Sequence, residues 1–147
     1  MRHFIRSLVL LLMFASATAL AHTPNALPGH AKSNAFKVLL EVNSANPASW
    51  KLAVSNAAQI MQLIGMDKAQ VEVIAWGPGI KMLVKGSPVA EHIQSLAAYG
   101  ITFNACGNTM KSLHLTSKDL VAGVTVVPGA IAEIVKRDHE GWTQIRM

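Results

Sequence analysis

The chain of 147 residues has one cysteine, Cys106, set in Phe103-Asn104-Ala105-Cys106-Gly107-Asn108-Thr109-Met110. A β-type run, Ile101-Thr102-Phe103, leads into it, and a helical run, Thr109 to Leu115, leads away. Cys106 therefore sits where a strand hands over to a helix. The free N–H groups and the positive dipole end of a helix stabilise a thiolate there, and the thiolate is the reactive form of cysteine. Gly107 lets backbone N–H groups approach the sulfur. Asn108 and Thr109 offer hydrogen bonds beside it. The plainer alternative is a small, buried and inert side chain.

One thiol narrows the chemistry. It cannot close an internal disulfide, and it lacks the C-x-x-C partner that a two-cysteine oxidoreductase needs. No G-x-S-x-G elbow is present and no Cys-His-Asp set can be assigned, so a hydrolase lacks its parts. Asp119 and Glu133, the nearby acids, read as solvated or helix-end charges. A metal site would pair Cys106 with His92 or His114. His114 lies eight residues on, about 12 Å along a straight helix, too far for shared ligation within it. His22 and His30 have no further ligands near them. No metal and no cofactor are expected.

A second loop of interest is Trp76-Gly77-Pro78-Gly79, after an apolar strand. Glycine-rich loops in that place can present N–H groups to an anion. No G-x-G-x-x-G or Walker pattern accompanies it, and a tight turn is the simpler reading. Gly77, Gly79 and Asn43 join Gly107, Asn108 and Thr109 as candidate ligand-binding positions around Cys106.

The elements that must position these residues are readable from periodicity. Phe36 to Val42 is a near-continuous apolar run and suits a strand covered on both faces. Asn46-Pro47 reads as cap and first residue of a helix whose stripe is Trp50, Ala53, Val54, Ala57, Ile60, Met61 and Ile64, stopped by Gly65. Val71 to Trp76 is the second strand, and Ile80 to Val84 a short helix. Ser87-Pro88 opens a helix with Val89, Ile93, Leu96 and Ala97 inside and His92 flanking. The third strand ends at Cys106. Thr116 to Leu120 is a turn or short helix, Val124 to Val127 the fourth strand, and Pro128 the opening of a last helix. That helix buries Ile131, Ile134 and Val135, carries Lys136, Arg137 and His139 near its end, and stops at Gly141. Trp142 to Arg146 alternates as a fifth strand. The β-α-β-α-β-α-β-α-β order implies a three-layer α/β/α domain with a mainly parallel five-stranded sheet. Ligands of such sheets sit beyond the carboxyl ends of the strands, where the loops 43–46, 76–79 and 105–108 all fall.

The first residues read as a secretory signal peptide over 1–21: a basic start with Arg2 and Arg6, an apolar run from Leu8 to Phe14, and Ala19-Leu20-Ala21 for cleavage. The run is short for a membrane anchor, since a bilayer span takes about 20 residues. A leader follows over 22–35, and one domain over 36–147. The expected location is periplasmic or secreted, with no membrane association after signal removal. Cleavage lowers the formal net charge from +5 by the two arginines. The remaining Lys and Arg are scattered without aromatic interleaving, which argues against nucleic acid as a partner.

Taken together, Ala75-Trp76-Gly77-Pro78-Gly79, Ser87-Pro88-Val89, Phe103 to Met110 and Val126-Val127-Pro128 resemble the DsrE/DsrF-like (YchN-like, DsrEFH) family, in particular an exported subgroup. The resemblance covers about Phe36 to Met147. It implies a three-layer α/β/α domain and a homo-oligomer, trimer or hexamer. Sulfur-relay members carry a cysteine that accepts persulfide sulfur, and Cys106 is the residue here onto which that role transfers. The resemblance thus implies a protein that carries sulfane sulfur between a donor and an acceptor protein, at most sulfurtransferase-like. The alternative is a non-catalytic small-ligand or protein-interaction module with a buried cysteine.

Overall fold

The computed structural model describes residues 35–147. The signal-peptide reading and the leader through residue 34 lie outside them. The elements are β1 (Phe36–Val42), α1 (Pro47–Ile64), β2 (Ala69–Ala75), α2 (Ala90–Ala98), β3 (Thr102–Cys106), α3 (Gly107–Ser112), β4 (Val124–Val127), α4 (Ala130–His139) and β5 (Thr143–Arg146). Two 3-10 helices, Gly77–Leu83 and Ser117–Asp119, follow β2 and α3. Among the described residues no helix is long and apolar enough to cross a membrane.

All four strand pairings are parallel, in the order β4-β3-β2-β1-β5. From β1 to β4 the chain steps one way across the sheet. Right-handed crossovers then place α1 and α2 on one face. The step from β4 to β5 runs back across the whole sheet, so α4 lies on the other face. The result is the three-layer α/β/α architecture, with a wholly parallel sheet.

Local chemistry accounts for the main elements. Asn46 caps α1, its Oδ1 accepting from the Ala48 N–H at 3.0 Å, and Pro47 begins the helix. Gly65 ends it at φ 103°, a backbone conformation that suits glycine. Trp50, Ala53, Val54, Ala57 and Met61 are buried against the sheet. Val38, Leu40, Val42, Val71, Val73, Ala75, Phe103 and Ala105 meet them from the alternate positions of β1, β2 and β3.

The opposite face is built differently. Alternation places Leu39, Glu41, Glu72, Ile74, Asn104 and Cys106 there, and Glu41, Glu72 and Asn104 are buried polar residues. Asn104 donates to Glu72 Oε1 at 2.8 Å, and Arg137 Nε of α4 donates to Glu72 Oε2 at 2.7 Å. Thr125 on β4 donates to Asn104 Oδ1. A polar chain thus runs from β4 through β3 and β2 into α4. The Arg137 guanidinium also reaches Glu133 at 3.0 Å and Glu140 at 2.9 Å and lies over the Trp142 ring.

Here the sequence reading of the last helix is corrected. Ile131 and Val135 are each 63% exposed. The inward stripe of α4 is Ala130, Ile134 and Arg137, at spacings of four and seven. The cause is Glu72, which draws Arg137 inward and rotates the helix about its axis. Glu133 is not a solvated charge but a half-buried partner of Arg137. Asp119 is half-buried and closes a capping box with Thr116.

Several boundaries also move. α2 starts at Ala90 with Val89 as its cap residue, two positions after Pro88, and α4 starts two positions after Pro128. At α2 Ser87-Pro88 still form the turn into the helix, with Ser87 O accepting from the Ala90 N–H at 3.0 Å and Ser87 Oγ from the Val89 N–H at 3.4 Å; at α4 the cap residue is Gly129, after Pro128. α3 begins at Gly107 and stops at Ser112, short of Leu115. Trp76 and Trp142 stand just outside β2 and β5. The segment after β2 is 3-10 from Gly77, not helical only from Ile80.

Gly79 is a packing requirement. A Cβ there would lie 2.3 Å from the Val42 carbonyl oxygen and 2.9 Å from Asn43 Cα. Gly79→Ala is therefore expected to lower unfolding stability by about 1–3 kcal/mol. Urea unfolding checks this as a lower midpoint at unchanged m-value.

Candidate thiolate site

Cys106 is the last residue of β3 and the cap residue of α3, with φ −71° and ψ 112°. It is buried, 6% exposed, and its parity on β3 points it to the α4 face. Within α3 it makes no side-chain capping hydrogen bond. The well-formed bond comes from across the site: the Ala130 N–H, at the first residue of α4, donates to Sγ at 3.3 Å. Two helix starts thus meet at one sulfur.

Burial pushes the thiol pKa up, but the opposing groups win. The Thr109 hydroxyl, then the N–H groups of Thr109, Ala130 and Asn108, favour the anion and hold Cys106 below the ordinary thiol value. The stabilisation comes from dipoles and a hydroxyl, with no cationic side chain in the set.

The three loops named from the sequence adjoin one another. The Gly77 N–H donates to Thr109 Oγ1 at 3.0 Å, tying the loop after β2 to α3. Gly77 has φ 52°, in the region that favours glycine. This bond leaves the Thr109 hydroxyl hydrogen free to serve the sulfur. Gly79 and Asn43 pack together at the ends of β1 and β2. Asn43 is exposed. Gly107 is buried, and a Cβ there would lie 3.0 Å from Val127 O and 3.2 Å from Pro128 O. Its lack of a side chain lets the β4–α4 turn close over Cys106. Gly129 does the same for Asn108, whose Nδ2 would stand 3.1 Å from a Cβ at 129.

Sequence reading missed Ala130, Gly129 and the Asn104–Glu72–Arg137 chain. A signal for the last was present: a strand buried on both faces that holds a Glu or Asn must supply that group a partner.

His92 lines a groove of about 360 Å³ between α1 and α2, with Lys51, Val54, Ser55 and Leu96. His114 follows α3 in a left-handed conformation, φ 56°. Among the described residues no three His, Cys, Asp or Glu side chains cluster so as to hold a metal ion.

An all-parallel five-stranded α/β/α domain with a thiol at a strand-to-helix junction defines a class of protein, and the comparisons agree with it. The pattern of the DsrE/DsrF-like family matches residues 29–147. The chain belongs to that family, which is associated with sulfur metabolism. Among solved structures it is similar to a protein of unknown function from Methanobacterium thermoautotrophicum, with 28% identity and TM-score 0.72, covering 76% of this chain and 99% of that one. A protein of unknown function from Bacteroides thetaiotaomicron shares 17% identity at TM-score 0.58, covering 76% and 94%. The ychN protein of E. coli shares 12% identity at TM-score 0.60, covering 76% and 99%. These last two likenesses are of fold. No curated protein matches the chain significantly.

Because the folded thiol gives up its proton at lower pH than the unfolded one, its stabilising contribution grows as pH rises between the two values. It is full above the unfolded pKa and lost as pH falls through the folded one. Thr109→Val, which keeps shape and removes the hydroxyl, is expected to raise the pH midpoint of Cys106 alkylation. At neutral pH the reaction should slow about fivefold or more, since hydrogen bonds to charged groups are strong. Thr109→Ser should keep most of the wild-type rate. The pH profile of iodoacetamide reaction is the check.

Proposed function

We propose that the protein carries sulfane sulfur on Cys106. The Cys106 thiolate attacks the outer sulfur of a donor persulfide. The donor S–S bond breaks, the donor leaves as a thiolate that takes up a proton, and Cys106 becomes Cys–S–SH. An acceptor thiolate then attacks that outer sulfur and regenerates Cys106. No net oxidation occurs and no second cysteine is needed, which suits a chain with one thiol.

The observation that supports this reading is the Ala130 N–H at 3.3 Å from Sγ, which brings a second helix start to the sulfur. The Ala130 N–H, the Thr109 hydroxyl and the N–H groups of Asn108 and Thr109 favour its anion despite burial. A small apolar residue would need none of them. The same donors suit the terminal sulfur of a persulfide, an anion at neutral pH. Family membership points the same way.

The reading includes export by the signal peptide over 1–21 and transfer to or from partner proteins outside the cytoplasm. It also includes assembly as a homo-oligomer, trimer or hexamer. Ile131 and Val135, exposed one helical turn apart on α4, support self-association, since neighbouring apolar groups at a surface favour contact. Light scattering on the purified protein should return a multiple of the chain mass, and a monomer would overturn this part.

Incubation with polysulfide followed by intact mass measurement tests the carrier itself. The expected result is a gain of whole sulfur atoms that dithiothreitol removes and that Cys106→Ser abolishes. A protein that gains none under conditions where small thiols do is a binding or interaction module with a structural cysteine.

A further inference from the structure

Arg137 is seven residues after Ala130, on the same inward stripe of α4. Ala130 contributes the N–H at Cys106 Sγ, 3.3 Å away. Arg137 donates to Glu72 Oε2 at 2.7 Å, and the other oxygen of Glu72 accepts from Asn104 at 2.8 Å. Asn104 stands two residues before Cys106 on the same strand and the same face. The connections therefore close a ring: Cys106 to Asn104 along β3, Asn104 to Glu72, Glu72 to Arg137, then back along α4 to the N–H at the sulfur. Glu72 is 1% exposed, and Ala130 is the one fully buried apolar residue of α4. The helix is thus seated on the sheet at two points, the sulfur at one end and the carboxylate at the other.

We infer that Arg137 and Glu72 are positioning residues for Cys106, holding α4 where its first N–H meets the sulfur. The inference rests on the reading that Cys106 acts as a thiolate, and it assigns part of that reactivity to an ion pair remote from the sulfur. The charged groups facing Arg137 are Glu72 from β2, and Glu133 and Glu140 from α4 and its end. Lys136 shares Glu133, and the Lys37 ammonium lies near the Glu140 carbonyl. Of these carboxylates Glu72 alone belongs to the sheet, so it alone can fix the helix against β3.

The test is the pH profile of Cys106 alkylation by iodoacetamide in the full chain, for Glu72→Gln, Arg137→Ala and Arg137→Lys, with Lys136→Ala as control. Glu72→Gln and Arg137→Ala are expected to move the midpoint to higher pH and slow the reaction at pH 7 about three- to tenfold, by loss of thiolate. The limiting rate at high pH should stay unchanged, which separates thiolate stabilisation from access. Arg137→Lys keeps the charge without the forked geometry and should fall between. Lys136→Ala should match wild type. If Arg137→Ala does not fold, the two milder variants decide. Wild-type midpoints in folded Glu72→Gln and Arg137→Lys overturn the inference. Polysulfide loading, measured beside it, keeps the two readings apart. A shifted midpoint without sulfur uptake by wild type overturns the carrier alone. Uptake with unshifted midpoints overturns the positioning role alone.

Discussion

A carboxylate enclosed between a sheet and a helix layer cannot stay charged there alone, because losing its hydration costs several kcal/mol unless partners replace the water. Glu72 meets that demand with Asn104 on one side and Arg137 on the other. Much of the α4 face follows from this pairing. The helix turns Arg137 inward, Ile131 and Val135 outward, and lays its first residue at Cys106. Removing either partner of such a pair typically costs about 3–5 kcal/mol, so the arrangement is strongly enforced. The apolar face toward α1 and α2 is held by ordinary packing. The face toward α4 adds a few directional bonds to the packing of Leu39, Ile74 and Ala130.

Around the sulfur, absence of side chains matters as much as presence. Gly79, Gly107 and Gly129 each stand where another backbone or a side chain passes at or inside van der Waals contact. They draw together the ends of β1, β2, β3 and the turn entering α4. The polar groups that reach Cys106 are mostly backbone N–H groups, which cannot rotate away. A site built from such groups is set in place before any ligand arrives and need not reorganise around a forming anion.

Most of the fold was legible in the sequence. Asn46-Pro47 and Gly65 bounded α1, and the apolar runs located the strands. The alternation of strand and helix implied the parallel sheet. The handover at Cys106 was legible too, because Ile101 to Phe103 and Thr109 onward have different periods. The last helix was misread because Ile131, Ile134 and Val135 form a plausible apolar stripe. Local pattern cannot register that Glu72, 65 residues earlier, competes for the helix face. Ala130 was invisible for a related reason: its contribution is a backbone N–H, which every residue but proline has. Pro128 misled at the start of α4 because proline closes a segment as readily as it opens one.

The sheet order has a bearing on how the chain is made. β5 is the last of the five strands to be synthesised, yet it pairs with β1, the first. Until then one edge of β1 has no neighbour, although β1 to β4 can pair as they emerge. Leu39 and Leu40 lie on that strand, an apolar template for any other extended chain nearby. Closing it requires the crossing from β4 to the far edge, a contact between distant parts of the sequence and therefore slow to form. The nascent protein passes through an interval in which its central sheet is nearly built and still open to the wrong partner. Shielding of that edge during synthesis is the consequence of placing the final strand beside the first.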